Sequence, residues 1–380
     1  MRGSLRQRAR GSWSLKVELP RGPDGKRRQL FETFAGNKKA ADARLAELIA
    51  SANDGYVIRP ERVTVGELMG LWLQDHAAQV RASTIEGYSK KVRRHIAPAL
   101  GNLALRALEP SHVQALYREL LGKVSARTVL HIHRILQEGL DYAVKLAYIS
   151  RNPCKAVTPP RPERKEMRAM SPQEANAVLE AARATPYYAL FHTALYTGLR
   201  RSELLGLQVG NVDLTLGIIH VVRAMHVLKG GKVVYTEPKS AKGRRAVALT
   251  PSNAVVLRDH LAKLESNMID LGVAFTDATP VFSWPDGRPM LPNGVSVAWR
   301  RLVRGLGLRG VRLHDARHTH ASFMLAQGVH PKIVQERLGH STIAITLDTY
   351  SHVAPGLQAA AALAFDKMLA PGTLAEKAPA

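Results

Sequence analysis

The sequence holds one cysteine, Cys154, in 380 residues. A single thiol cannot close an internal disulfide and cannot supply a thiolate metal site. No apolar run reaches the ~18–20 residues of a membrane span. The opening Met1-Arg-Gly-Ser-Leu lacks the apolar core of a signal peptide. There is no Gly-x-x-x-x-Gly-Lys-[Ser/Thr] loop and no dinucleotide fingerprint after a strand, so nucleotide-driven chemistry has no visible seat. Acidic residues are also few, at 31 against 54 Lys and Arg.

What is present points one way. Hydrophobic residues at 46% and charged residues at 22% are values of a globular protein. The formal net charge is +23. A surplus of that size opposes compaction unless a polyanion is near, and nucleic acid is the commonest polyanion. Residues 1–60 carry 13 basic and 6 acidic side chains, residues 61–165 carry 17 and 9, and residues 166–380 carry 24 and 16. The excess is therefore spread over every part of the chain, as expected if three modules each meet a phosphate backbone. A reduced, cytoplasmic protein that touches DNA or RNA is the reading so far.

The first module, residues 1–55, opens with the alternating run Trp13-Ser-Leu-Lys-Val-Glu-Leu, which places Trp13, Leu15, Val17 and Leu19 on one face of a strand. Pro20 to Gly25 supplies a turn, and Arg27 to Phe34 reads as further short strands. A helix fits from Asn37. A small sheet backed by one helix, with Arg27 and Arg28 beside the turn, suits a groove reader.

Residues 61–155 read as four helices. Thr64-Val-Gly-Glu67 and Ser83-Thr-Ile-Glu86 are capping boxes. The helix opened by Ser83 carries Lys90, Lys91, Arg93 and Arg94 at its far end, a cluster that suits either a phosphate grip or a solvated face. Further helices are expected from about Ser111 to Leu121 and from about Ser125 to Tyr148. Residues 156–168, with Thr158-Pro-Pro-Arg-Pro162, form a linker that would let flanking domains close around a duplex. In the third module, 169–353, Ser171-Pro-Gln-Glu174 starts two helices, the second ending near Arg200. Strand-like runs follow at 217–225, 232–237 and 245–249, then helices from about Pro251, Pro292, Asp315, Pro331 and Thr342.

Four stretches carry chemistry. Thr197-Gly-Leu-Arg-Arg-Ser-Glu-Leu204 puts Arg200 beside a glycine turn, with Glu203 three residues on. Pro238-Lys-Ser-Ala-Lys-Gly-Arg-Arg245 puts Lys239 in a turn between strands, with Lys242 close by. Leu313-His-Asp-Ala-Arg-His-Thr-His-Ala321 sets His314 and Arg317 at i, i+3, facing one way on a helix. Leu338-Gly-His-Ser-Thr342 leads, ten residues after His340, to Tyr350.

Together these resemble the tyrosine recombinase, or phage integrase, family. The resemblance covers 166–353 in motif and order and 61–155 by type; residues 10–52 resemble the arm-binding domain of many phage integrases. It implies a multidomain, mainly α fold with small β elements: an N-terminal sheet and helix, a four-helix SAM-like core-binding domain, and a mixed, mainly helical catalytic domain. It also implies that Arg200, Lys239, His314, Arg317, His340 and Tyr350 are catalytic, with Glu203 and His318 in support. The product would be a 3′-phosphotyrosyl link with a free 5′-hydroxyl, made without metal, ATP or any other cofactor. The implied partners are double-stranded DNA at core and arm sites, a homotetramer on that DNA, and an excision factor or host DNA-bending protein. A nucleoid-associated enzyme that integrates a mobile element is the leading expectation. A dimer-resolving recombinase with the same chemistry, and a DNA-binding regulator that does not cut, are the alternatives.

Single residues have plainer readings beside these. His314, His318 and His320 could form a metal cluster, though no His-Glu-x-x-His accompanies them. Asp315 suits a helix cap, and Arg201 a surface charge. Residues 354–380 are a helix-prone tail in which Leu357, Leu363 and Phe365 could anchor on a neighbouring protomer or pack in cis.

Overall fold

A computed structural model of the protein describes residues 3–19, 28–53, 63–163, 168–238 and 243–350, together with 362, 363, 365, 366 and 369; side chains of 19, 28, 51–53 and 348–350 lie outside the description. The chain divides into two units, Met1–Arg164 and Lys165–Ala380. The molecule is mainly helical with small antiparallel sheets.

In the first unit, β1 (Gly3–Ala9), β2 (Ser12–Leu19) and β3 (Arg28–Ala35) form an antiparallel sheet in that order. The alternation of β2 decides its faces: Leu15 and Val17 are fully buried against α1 (Lys38–Asn53), through Ala41 and Leu48. Trp13 donates from its indole nitrogen to the carbonyl of Gly36 at 3.0 Å, closing the sheet onto the helix start.

The helical part comprises α2 (Val65–His76), α3 (Ala82–Lys91), a π-turn (Val92–Ile96), α4 (Ala97–Leu100), α5 (Pro110–Leu121) and α6 (Ala126–Lys145). Thr64 forms the expected capping box with Glu67. The second expected box does not form: α3 starts at Ala82 after Arg81, with no side-chain cap, and Ser83 lies inside it. Leu68, Ile96, Val113, Ile132 and Leu136 build the core. A side chain at Gly139 would meet the Met69 sulfur at 2.5 Å, so glycine sets how closely α2 and α6 approach. Cys154 belongs to this core, where burial holds its thiol up to about 12. Val157, at the head of the expected linker, packs there too.

The second unit contains α7 (Pro172–Ala182), α8 (Tyr188–Thr197), α9 (Arg201–Gly206), β4 (Val212–Asp213), β5 (Ile218–Val221), β6 (Ala224–Val227), β7 (Val233–Thr236), β8 (Arg245–Ala248), α10 (Pro251–Asp270), α11 (Pro292–Gly305), α12 (Leu313–Ala326), α13 (Pro331–Leu338) and α14 (Ile343–Tyr350). Phe191, Leu204, Leu257, Phe282 and Trp299 are among the side chains of its main core. Two differences from expectation bear on the site. The helix expected to run to Arg200 stops at Thr197, because Gly198 takes a left-handed φ of 65°. The run at 217–225 splits into β5, which pairs with β4 and β8, and β6, which pairs with β7. At that break Arg223 reaches back to the carbonyl of Gly206 at 2.7 Å, a long-range contact that no local pattern encodes.

Candidate active site

Two left-handed glycines build the floor of the site. Gly198 ends α8 and Gly339 ends α13, at φ 65° each. A side chain there would cost about 1–2 kcal/mol in backbone strain alone. At Gly198 it would also meet His320 at 2.8 Å and Leu338 at 2.7 Å. The glycines of the Thr-Gly-Leu-Arg and Leu-Gly-His-Ser stretches thus let two helix ends lie against α12.

Arg317 of α12 joins them. It is 3% exposed and donates from Nη1 to the Gly198 carbonyl at 2.9 Å and from Nη2 to the Leu338 carbonyl at 2.7 Å. Arg200, in extended backbone between α8 and α9, lies 3.4 Å from the Gly339 carbonyl through Nη2. Its Nη1 donates to Glu203 Oε1 at 2.6 Å, and its backbone N–H to Oε2 at 2.9 Å. Burial pushes the Glu203 carboxyl up, but the charges and hydrogen bonds of Arg245 and Arg200 outweigh it and hold the group at about 2.

The histidines divide by exposure. His314 is exposed, while His318 and His340 are buried. His314 and His318 stack edge to face, with centroids 4.9 Å apart. Burial, then the Arg317 and Arg200 charges, holds His340 down at about 3; burial, then His314, holds His318 down at about 4. Partial burial and Arg317 also lower His314. His340 Nδ1 sits 2.9 Å from the hydroxyl of Thr346, and its carbonyl accepts from Gln335 at 2.8 Å. His320 has both ring nitrogens engaged, Nδ1 with the Leu195 carbonyl and Nε2 with Arg337, so it braces the end of α8. Asp315 accepts from the backbone and side chain of Arg312 and caps α12.

Arg200, His314, Arg317 and His340 therefore come together from segments far apart in the chain. Tyr350 is the last residue of α14, and its side chain lies outside the described residues. Lys239 and Lys242 also lie outside them. Beside Arg200 and His314 opens a cavity of about 820 Å³, rimmed by Arg300, Arg304 and Arg312. Arg201, exposed as expected, donates to Ser296 and to the Pro292 carbonyl at the start of α11.

On the helical bundle, Lys90, Arg93 and Arg94 are exposed and Lys91 is half-buried. Arg127, His131 and Arg134 form an exposed stripe on α6 that sequence reading missed, although their i, i+4, i+7 spacing was visible. Partial burial, then Lys91 and Arg134, lowers His131, and Tyr88 of α3 meets its ring edge to face, which puts Lys91 on the side of the bundle that carries this stripe. Arg27 lies outside the described residues, and Arg28 begins β3. Arg245, Arg337 and Thr346 were likewise missed, since their partners are distant in sequence or buried.

The phage integrase family model matches residues 168–356, the segment that holds the four converging stretches, and a phage integrase N-terminal SAM-like model matches 64–121. The chain belongs to the phage integrase family. This tyrosine recombinase is 28% identical over 367 residues to the tyrosine recombinase XerC-like protein of Caldanaerobacter subterraneus, spanning 91% of this chain and 94% of that protein. Its fold resembles the Tn1549 transposon integrase in complex with circular intermediate DNA, at TM-score 0.68 and 22% identity over 80% of this chain and 99% of the other. It also resembles a lambda integrase tetramer bound to a Holliday junction, at TM-score 0.60 and 17% identity over 92% and 95%. The recombinase family performs DNA cleavage and rejoining. No described helix is long and apolar enough to cross a membrane.

Proposed function

We propose that this recombinase is a site-specific integrase that cuts attachment-site DNA with Tyr350 and rejoins it through a 3′-phosphotyrosyl link. The observation that carries the reading is the bridge made by Arg317, which ties the Arg200 turn to the turn before His340. Planar guanidinium forks suit the non-bridging oxygens of a phosphodiester, whose negative charge grows in flight. Arg200 and Arg317 grip those oxygens in place of a metal ion. At neutral pH His340 is uncharged and holds one ring proton. With the Thr346 hydroxyl donating to Nδ1, that proton resides on Nε2 and is given as a hydrogen bond to the phosphate.

A phenol ionises near ~10 in water, so Tyr350 attacks only with help. His314, exposed beside Arg200, accepts its proton or aligns the phosphate, and Lys239 protonates the departing 5′-oxygen. Bond energy stays in the phosphotyrosine, so religation needs no ATP and the cycle no metal.

The modules divide the remaining work. Residues 1–55 bind arm sites, 61–155 and 169–353 clamp the core site across the linker 156–168, and the tail 354–380 packs on a neighbour in a homotetramer. Leu363 and Phe365, both exposed, are its anchors together with Leu357, which lies outside the described residues. An excision factor or a host DNA-bending protein sets direction.

A nicked suicide duplex carrying the core site tests the chemistry. Wild type is expected to leave a covalent protein–DNA adduct in EDTA, and Tyr350→Phe to bind without forming one. An adduct from Tyr350→Phe removes Tyr350 from its role, and a requirement for Mg²⁺ removes the metal-free cage.

A further inference from the structure

Arg245 opens β8, and its side chain is 7% exposed. It donates from Nε to the Arg337 carbonyl at 2.7 Å and from Nη1 to the Gly243 carbonyl at 3.2 Å. Its Nη2 donates to Glu203 Oε2 at 2.9 Å, and Nη1 lies 3.4 Å from Oε1. The same two oxygens receive Arg200. One buried carboxylate is shared by two guanidinium groups: Arg245 is closed off, while the Arg200 side chain is 38% exposed toward the site.

The charge balance follows from this sharing. Arg200 paired with Glu203 alone would be close to neutral, and a carboxylate 2.6 Å away would cancel much of its pull on a phosphate oxygen. With Arg245 added, the trio carries a net positive charge. We propose that Arg245 is a positioning residue of the active site: it balances Glu203 from behind and so leaves the charge of Arg200 to the scissile phosphate. Its bond to the Arg337 carbonyl also holds β8 against the end of α13. Arg245 touches no DNA in this role. The proposal rests on the reading that Arg200 grips the phosphate.

A strut and a charge balancer differ in how they respond to Glu203→Gln. Loss of a strut is not repaired by removing the carboxylate it touches. Loss of a balancing charge is, because the uncompensated carboxylate disappears with it. Single-turnover cleavage of the nicked duplex by full-length protein separates the two, with duplex affinity and melting temperature measured on each variant.

Arg245→Met is expected to cleave about 10²-fold more slowly, the scale of losing one preorganised charge contact, with duplex affinity within about threefold of wild type. Arg245→Met combined with Glu203→Gln is expected to recover at least about tenfold of that loss, and Arg245→Lys to lose less than about tenfold. Wild-type speed in Arg245→Met, or a double variant no faster than Arg245→Met, overturns the proposal. Should Arg245→Met not fold, the double variant buries no unpaired charge and is compared directly with wild type. A rate within about tenfold supports the proposal, and a deficit of about 10²-fold overturns it. Failure of wild type to form any adduct overturns the phosphate reading as well, whereas a cleaving wild type with non-conforming variants overturns the role of Arg245 alone.

Discussion

The helical bundle and the catalytic unit hold equal surpluses of charge, +8 over residues 61–165 and +8 over 166–380, and place them in opposite ways. The bundle buries an apolar core and keeps Lys90, Arg93, Arg94, Arg127 and Arg134 at its surface. The catalytic unit buries Arg317, Arg245, Glu203, Asp315, His318, His320 and His340. An exposed guanidinium is hydrated, mobile and screened by salt within about 8–10 Å. A buried one is costly to desolvate and is retained only where its hydrogen bonds are met and its position matters. The bundle holds its charge at the surface, and the second unit builds its charge into fixed geometry.

The largest effect that sharpens this contrast is Arg317→Met. It removes two ties to backbone carbonyls and, in the proposed mechanism, a phosphate contact. Cleavage in a single-turnover assay is expected to fall by about 10²–10³-fold, while duplex binding, assigned by the proposal to the surface charges, is expected to change little. Equal losses in binding and cleavage would erase the contrast.

A second effect is pH-dependent and belongs to the catalytic unit. Burial holds His318 and His320 down at about 4, and His340 at about 3. Below the ordinary histidine value of about 6.5 the unfolded chain takes up protons that the folded chain refuses. Stability is thus complete above that value and is lost as pH falls from about 6.5 toward 4, by about 1.4 kcal/mol per pH unit per histidine. Glu203, held at about 2, adds stability that is lost only at more acid pH. Melting of the DNA-free chain between pH 7 and 5 should show this slope, and His320→Gln should flatten it by about one group's share. A pH-independent melting temperature would count against buried neutral imidazoles.

The smallest effect lies on the bundle. Arg93→Ala and Arg94→Ala are each expected to lower the log–log salt dependence of duplex binding by about 0.9, with cleavage of saturated duplex unchanged. An unaltered slope returns both residues to the solvated-face reading.

How much of this was legible in the chain depends on distance. Local signals read well: the Thr64 capping box, the helix start at Ser171 and Pro172, proline at the starts of α10, α11 and α13, and the alternation of β2 all match the structure. The four motifs gave the candidate set because each is compact in sequence. What escaped were partners that only packing supplies. Arg245 meets Glu203 across 42 residues, and Arg337 meets the carbonyl of Tyr196 across 141. Ser83 misled because a serine followed by glutamate three residues on looks like a helix start wherever it falls, and here the helix had already begun at Ala82.

The bridge made by Arg317 has a bearing on when the protein can act at all. Its two carbonyl partners lie 119 and 21 residues away, and Arg200 reaches a carbonyl 139 residues distant. Contacts of such span form only once α8, α12 and α13 have docked, which is late in folding because long loops must close first. Under the proposed mechanism, a chain still emerging from the ribosome, or one partly unfolded by heat, holds DNA through its exposed arginines before it can break a strand. On that reading strand scission is confined to the finished molecule.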